Sequence, residues 1–432
     1  MQKILFMVFT TILTSFYLFP FDFTFLPGYN TKKVLAGLSI VILGIKLAKG
    51  KSASIDKDFV NLLLAAFTIS LCGFISIIYN DTNDLTYTTY IISMLVWLGG
   101  AYTIVATYRW LYKSVFISTV VCHLAAVCTL QCLIALAIDH FPTVYSIVRT
   151  FYNGMDELNS FADGRLYGIG CCFDPAGMRF AAVLVLMSCL IPTFIKENKK
   201  RPFYIFLFLL SFLVIAVVGN MIARTTTIGL VMALFNLCFL LKPNQLKWAD
   251  ESLIAWRWLL GTLVLFLPIV IFAYYHDEQI HKNIQFAFEG FFSLIEVGSW
   301  EVHSNDMLMG QINIFPETLK TWIIGDGYID STLLDPYYTG KEWKGYYMGI
   351  DVGYLRLIYY FGVCGLTAFI LFLFRACYNC MKNFPSNKWM FILILALNLI
   401  VWVKVASDIF MIFALFLVFK EMREEEKKAS II

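Results

Sequence analysis

Charge is scarce in this chain. Only 15% of its 432 residues are Asp, Glu, Lys or Arg, against 59% hydrophobic, a balance that excludes an ordinary soluble globular protein. Histidine is scarcer still, with five residues, and the cysteine spacings carry no metal-binding rhythm. A phosphate-cradling glycine loop, a nucleophile elbow and an acidic calcium loop are all missing from the sequence, so chemistry without a resident metal or cofactor is expected. Internal repeats and low-complexity tracts are missing too. The formal net charge of +3 is too small to call for a nucleic-acid partner. Most of the 11 cysteines lie in apolar runs, where the thiol behaves as a small hydrophobe, and the vicinal Cys171-Cys172 pair is poor disulfide geometry.

What the chain has instead is apolar length. Runs able to cross about 30 Å of hydrocarbon recur throughout. They fall near residues 4–20, 34–49, 59–79, 86–108, 115–139, 176–195, 203–219, 224–241, 255–275, 352–374, 388–403 and 405–420. The expectation is an all-α, polytopic transmembrane bundle of about 12 spans. Lys3 and the run after it have the look of a signal peptide, but Pro20-Phe21-Asp22-Phe23 stands where a cleavage site would be, which reads as an uncleaved first helix. Most of the 33 basic residues gather in short segments on the side of the two termini. By the positive-inside rule both termini are then cytoplasmic. This parity depends on breaks near Gly219-Asn220 and near Lys404.

Three regions follow: residues 1–275 with nine spans and an external loop at 140–175, a large external loop at 276–350, and residues 351–432 with three spans and a tail. The large loop is too long to be a mere connector. Helical spacing of Ile284, Phe288, Phe291, Phe292 and Ile295 predicts a helix near 279–297 that lies on the membrane surface or roofs a cavity. A second helix is expected near 304–321. Glu421 to Lys428 reads as a solvated helix end.

Arginines at the mouths of spans carry the functional signal. A guanidinium keeps its proton in hydrocarbon and so needs water, a carboxylate or a phosphate beside it. Arg224 precedes three threonines in Arg224-Thr225-Thr226-Thr227-Ile228-Gly229, at a helix start that favours anions. It would bind an anionic ligand or pair with a structural carboxylate. Arg356, in Asp351-Val352-Gly353-Tyr354-Leu355-Arg356, offers the same two readings. Arg165 lies among glycines in Gly164-Arg165-Leu166-Tyr167-Gly168, a ligand approach or a plain turn. In Asp174-Pro175-Ala176-Gly177-Met178-Arg179, Asp174 would cap the span and Arg179 would either join a site or snorkel to headgroups. Lys404 and Asp408 have the spacing of a helical ion pair. His303, just ahead of a helix, and Asp351 are the candidates for a proton acceptor, with Glu301, Asp306, Asp326 and Asp330 behind them.

These stretches, with Phe173-Asp174-Pro175, Ile324-Gly325-Asp326-Gly327-Tyr328 and Phe361-Gly362, resemble in kind and order the O-antigen polymerase and O-antigen ligase superfamily of bacterial membrane glycosyltransferases. The resemblance covers roughly residues 160–420. It implies a GT-C-like fold in the bacterial inner membrane and a periplasmic site. The implied reaction assembles surface polysaccharide from glycan carried on polyprenyl pyrophosphate, which serves as donor and acceptor. Arg165, Arg224, Arg356 and Arg179 would hold the pyrophosphate, and a chain-length regulator protein would be a partner beside the lipid bilayer. The ligase branch pairs an external-loop histidine, matched by His303-Ser304, with a later glycine where this chain has Ile314. Polymerase is therefore the first expectation, ligase the alternative, and a lipid-linked sugar flippase the rival from another class. A flippase would show inverted repeats and a path to both faces.

Overall fold

The computed structural model describes residues 2–50, 56–161, 165–239, 250–336 and 338–418. Gly164 and the 421–428 tail lie outside these described residues. Within them the chain is helical, with three isolated β-bridges. A helix occupies the site of each expected span. These are α1 (Gln2–Leu18), α2 (Thr31–Ala48), α3 (Lys57–Asn80), α4 (Tyr90–Tyr112) and α5 (Ile117–His140). After the short α6 (Pro142–Phe151) and α7 (Met155–Phe161) come α8 (Phe173–Glu197), α9 (Pro202–Ile222), α10 (Thr226–Phe239) and α11 (Asp250–His276). The loop region holds α12 (Glu278–Ala287), α13 (Glu289–Glu296), α14 (His303–Gln311) and α15 (Leu319–Ile323). The remaining helices are α16 (Gly353–Asn383), α17 (Lys388–Val401) and α18 (Phe410–Leu417).

Seven of these helices, α3, α4, α5, α8, α9, α11 and α16, are long and apolar enough to cross a membrane. The α11 span is the most open: only 11% of its apolar window is buried by protein. Val264, Leu265, Ile269 and Phe272 are exposed along it, a surface that water would not tolerate and lipid would cover. This is a polytopic helical membrane protein.

The chain divides into two compact units, one of residues 1–35 and 102–300, the other of residues 36–101 and 301–419. In the first, α8 is central, and Phe180 through Ser188 are buried without interruption. Its widest contact is with α10, and small residues make that possible. A Cβ on Gly229 would come within 2.2 Å of the Ala181 backbone, and one on Gly177 within 2.8 Å of Ala223. Backbones that touch this closely gain packing where the hydrophobic effect between helices is weak.

The second unit is built on α3 against α16. Asp58 at the start of α3 takes Arg375 at 3.0 Å and Lys382 at 2.6 Å, which pins one end of the pair. At the other end α16 is broken at Phe361 and Gly362, the latter with φ of 68°. The Tyr359 and Tyr360 carbonyls are thereby released from the helix. They accept the Asp326 and Gly327 N–H groups at 2.6 and 3.1 Å, and Ser76 Oγ adds a bond to Tyr360 at 2.6 Å. The Gly325-Asp326-Gly327 turn is thus a plug that satisfies a helix break.

Several expectations are corrected at this level. The predicted helix near 279–297 is two helices, α12 and α13, parted at Phe288. Gly290 lies against the Trp300 ring, where a Cβ would meet it at 2.5 Å, so α13 turns to seat that indole. Phe291, Leu294 and Ile295 face outward. The second predicted helix, 304–321, ends at Gln311 and resumes only at Leu319, with Pro316 between. The break after α9 lies at Ala223–Thr225. The cap of α8 is Cys172 rather than Asp174, which sits inside the first turn. Lys404 and Asp408 lie in non-helical chain between α17 and α18, so helical spacing cannot pair them. Asp408 accepts the Phe410 N–H at 2.8 Å.

Candidate functional site

In the first unit the ends of α5, α9 and α11 and the starts of α8, α10 and α12 meet the loop that carries Arg165. Glycines fix that loop to the bundle. A Cβ on Gly168 would fall 2.5 Å from Gln131 Oε1, and one on Gly170, with φ of 64°, 2.6 Å from the Phe19 carbonyl. Gln131 clasps the Ile169 peptide on both sides, at 3.0 and 3.1 Å. Gly168 and Gly170 therefore approach the protein itself, not a ligand, and by doing so present Arg165.

Arg165 and Arg224 share one aromatic floor. Their guanidinium carbons lie 5.2 and 4.5 Å from the centre of the Phe286 ring on α12, within range of a cation–π attraction. Burial, and then the charge of Arg165, lower the Arg224 pKa, while Asp174 acts in the other direction. Arg224 stays protonated, so two positive charges stand together there. Glu289 on α13 pairs with Arg224 Nη1. The three threonines after Arg224 bond within the protein: Thr225 donates to the Asp174 carboxylate, Thr226 to the Gly219 carbonyl at 3.1 Å, and Thr227 to Asn220 Oδ1 at 2.6 Å. The Thr226, Thr227 and Ile228 N–H groups bond back to Ala223, Arg224 and Thr225. An anion here would thus be held by guanidinium groups rather than by the end of α10.

Beside Arg165 opens a cavity of about 400 Å³ with Asp139, Tyr145, Asn159, Tyr167 and Gln279 among its walls. Tyr167 donates to Asn159 at 2.8 Å and Tyr145 to Asp156 at 3.1 Å. Burial raises the Tyr167 hydroxyl to about 12, so it stays a hydrogen-bond donor at neutral pH.

Arg179 belongs to the same unit but not to this cluster. Gly177 faces the turn between α9 and α10, and two residues further on turn the side chain about 200° around α8. Its guanidinium lies 5.6 Å from the fully buried Phe19 ring. Its Nε is buried, with the residue as a whole partly exposed.

Arg356 is in the second unit. Its Nη2 donates to Asp330 at 2.5 Å and to the Ile329 carbonyl at 3.3 Å, and Tyr346 covers its face at 3.6 Å. At 8% exposed it is a buried cation with a carboxylate of its own. His303, exposed, opens α14, while the Asp351 N–H bonds Gln311 Oε1 at the far end of that helix, at 2.8 Å. Nine residues of α-helix rise roughly 12 Å, so these two do not form one proton-transfer pair. Asp326 accepts Lys320 Nζ at 2.6 Å and Thr321 Oγ1 at 2.7 Å, and it is part of the plug.

Sequence reading missed Phe286 and Glu289 as partners of Arg224, because they stand more than sixty positions away. It also passed over Asp139, Gln279 and Asn283. The available signal was Asp139-His140 before Phe141-Pro142, a charged pair at the mouth of a span.

No family model, curated protein or solved structure matches the chain significantly.

Proposed function

We propose that the protein is a membrane glycosyltransferase that binds polyprenyl-pyrophosphate-linked glycan at the Arg165–Arg224 pair and polymerises surface polysaccharide. The observation that carries this reading is two guanidinium groups on one phenyl ring, one of them, Arg165, in the wall of a cavity. Such a pair suits a diphosphate, whose oxygens match the planar fork of arginine. Charge builds on the diphosphate as the sugar–oxygen bond breaks, and fixed cations stabilise that charge more in the transition state than before it. Glu289 holds Arg224 until the ligand's oxygens replace it. Arg356, buried and paired with the exposed Asp330, is assigned to holding the second unit together.

The reading includes twelve spans, with the shorter α1, α2, α10, α17 and α18 completing the seven long ones, in a GT-C-like arrangement. It places the chain in a bacterial inner membrane, with termini cytoplasmic and the arginine pair on the periplasmic side. A chain-length regulator is the expected protein partner. Lipid-linked glycans from a strain lacking the protein test it. Single repeats attached to the final acceptor are the predicted outcome. Long glycan left on the carrier would make it a ligase, and precursor trapped at the cytoplasmic leaflet a flippase.

A further inference from the structure

Among the described residues, the cavity beside Arg165 has one carboxylate in its wall, Asp139, at the last turn of α5. Two amides of α12 aim at it: Gln279 Nε2 donates to Oδ1 and Asn283 Nδ2 to Oδ2, both at 3.3 Å. His140 Nδ1 is 3.5 Å from Oδ2, and its Nε2 reaches Asp277 Oδ2 at 3.1 Å. Asp277 is itself fixed as the cap of α12, accepting the Ile280 N–H at 2.9 Å. Gln279 and Asn283 therefore tie Asp139 to the helix that carries Phe286, the ring that both arginines face. Its side chain is 22% exposed, shielded by protein yet open to the cavity. Asn283, 1% exposed, holds Asp139 from the protein side.

Resting on the glycosyl-transfer reading above, we propose that Asp139 is the proton acceptor for the attacking hydroxyl. The acceptor sugar's oxygen forms a bond to the anomeric carbon of the donor. The bond from that carbon to the diphosphate oxygen breaks, and its electron pair leaves on the diphosphate beside Arg165 and Arg224. The hydroxyl proton passes to the Asp139 carboxylate and then to water. Gln279 and Asn283 position the carboxylate. No oxidant or further reactant is involved.

The test uses the full chain in proteoliposomes, with polyprenyl-pyrophosphate-linked repeats as substrate and polyprenyl pyrophosphate as binding probe. Asp139→Ala should lower the rate of polymer formation by about 100-fold or more while the probe binds as before. Added formate, a small carboxylate that fits the vacated space, should restore part of the rate. Asp139→Glu, which keeps the carboxylate, should retain more activity than Asp139→Asn and covers the case in which the alanine variant does not fold. Near-normal polymer formation in Asp139→Asn, or a folded Asp139→Ala that formate does not help, overturns the assignment while leaving the glycosyl-transfer reading in place. Failure of the unaltered chain to bind the probe or form polymer removes that reading and this inference together.

Discussion

Two arginines in this molecule began as equal candidates, and the structure treats them differently. Arg224 stands in a turn between helices, and the second arginine facing the same ring, Arg165, lines a cavity. Arg356 is 8% exposed, stacked under Tyr346 and paired with Asp330. Both satisfy the rule that a guanidinium in an apolar chain needs a partner. The difference lies in what else is near. A second cation beside Arg224 leaves a demand for negative charge beyond what Glu289 supplies, whereas Arg356 is matched one to one by Asp330.

The sharpest way to break this comparison is substitution of both. Arg224→Ala should reduce polymer formation by roughly 100- to 1,000-fold, the cost of removing one fixed transition-state contact. Arg356→Met should leave diphosphate binding intact and alter only stability. Equal loss of binding in the two variants would erase the distinction. Gly362→Ala probes the second unit's frame. A Cβ there would sit 2.1 Å from the Ile323 carbonyl on a backbone with φ of 68°, so a loss above about 3 kcal/mol is expected in detergent unfolding. Arg224→Lys keeps the charge but loses the fork, and about a tenfold drop in turnover is expected. The smallest effect belongs to Asp330→Asn. That side chain is 60% exposed, so about 1 kcal/mol of stability is at stake after solvent screening, with no change in diphosphate affinity.

The helices were largely legible in the sequence because apolar length and basic flanks are local properties. Arg224 was legible for the same reason, as a charge against an apolar background. What could not be read depends on distant chain. The α16 run reads as one continuous span, and its break at Gly362 exists because Gly325-Asp326-Gly327 docks on the freed carbonyls. Phe288 looked like one more apolar residue on a helical face, yet the helix stops there as Gly290 takes up Trp300. Asp174 read as a cap and instead receives Thr225 from the next helix pair. Asp139 escaped notice because its significance comes from Gln279 and Asn283, which only folding brings to it.

Direct binding of polyprenyl pyrophosphate and polyprenyl monophosphate to the purified chain tests the central assignment. Preference for the diphosphate, lost in Arg224→Ala and in Arg165→Ala but kept in Arg356→Met, is the predicted pattern. Equal affinity for the two lipids, or unchanged diphosphate binding in Arg224→Ala, would contradict it.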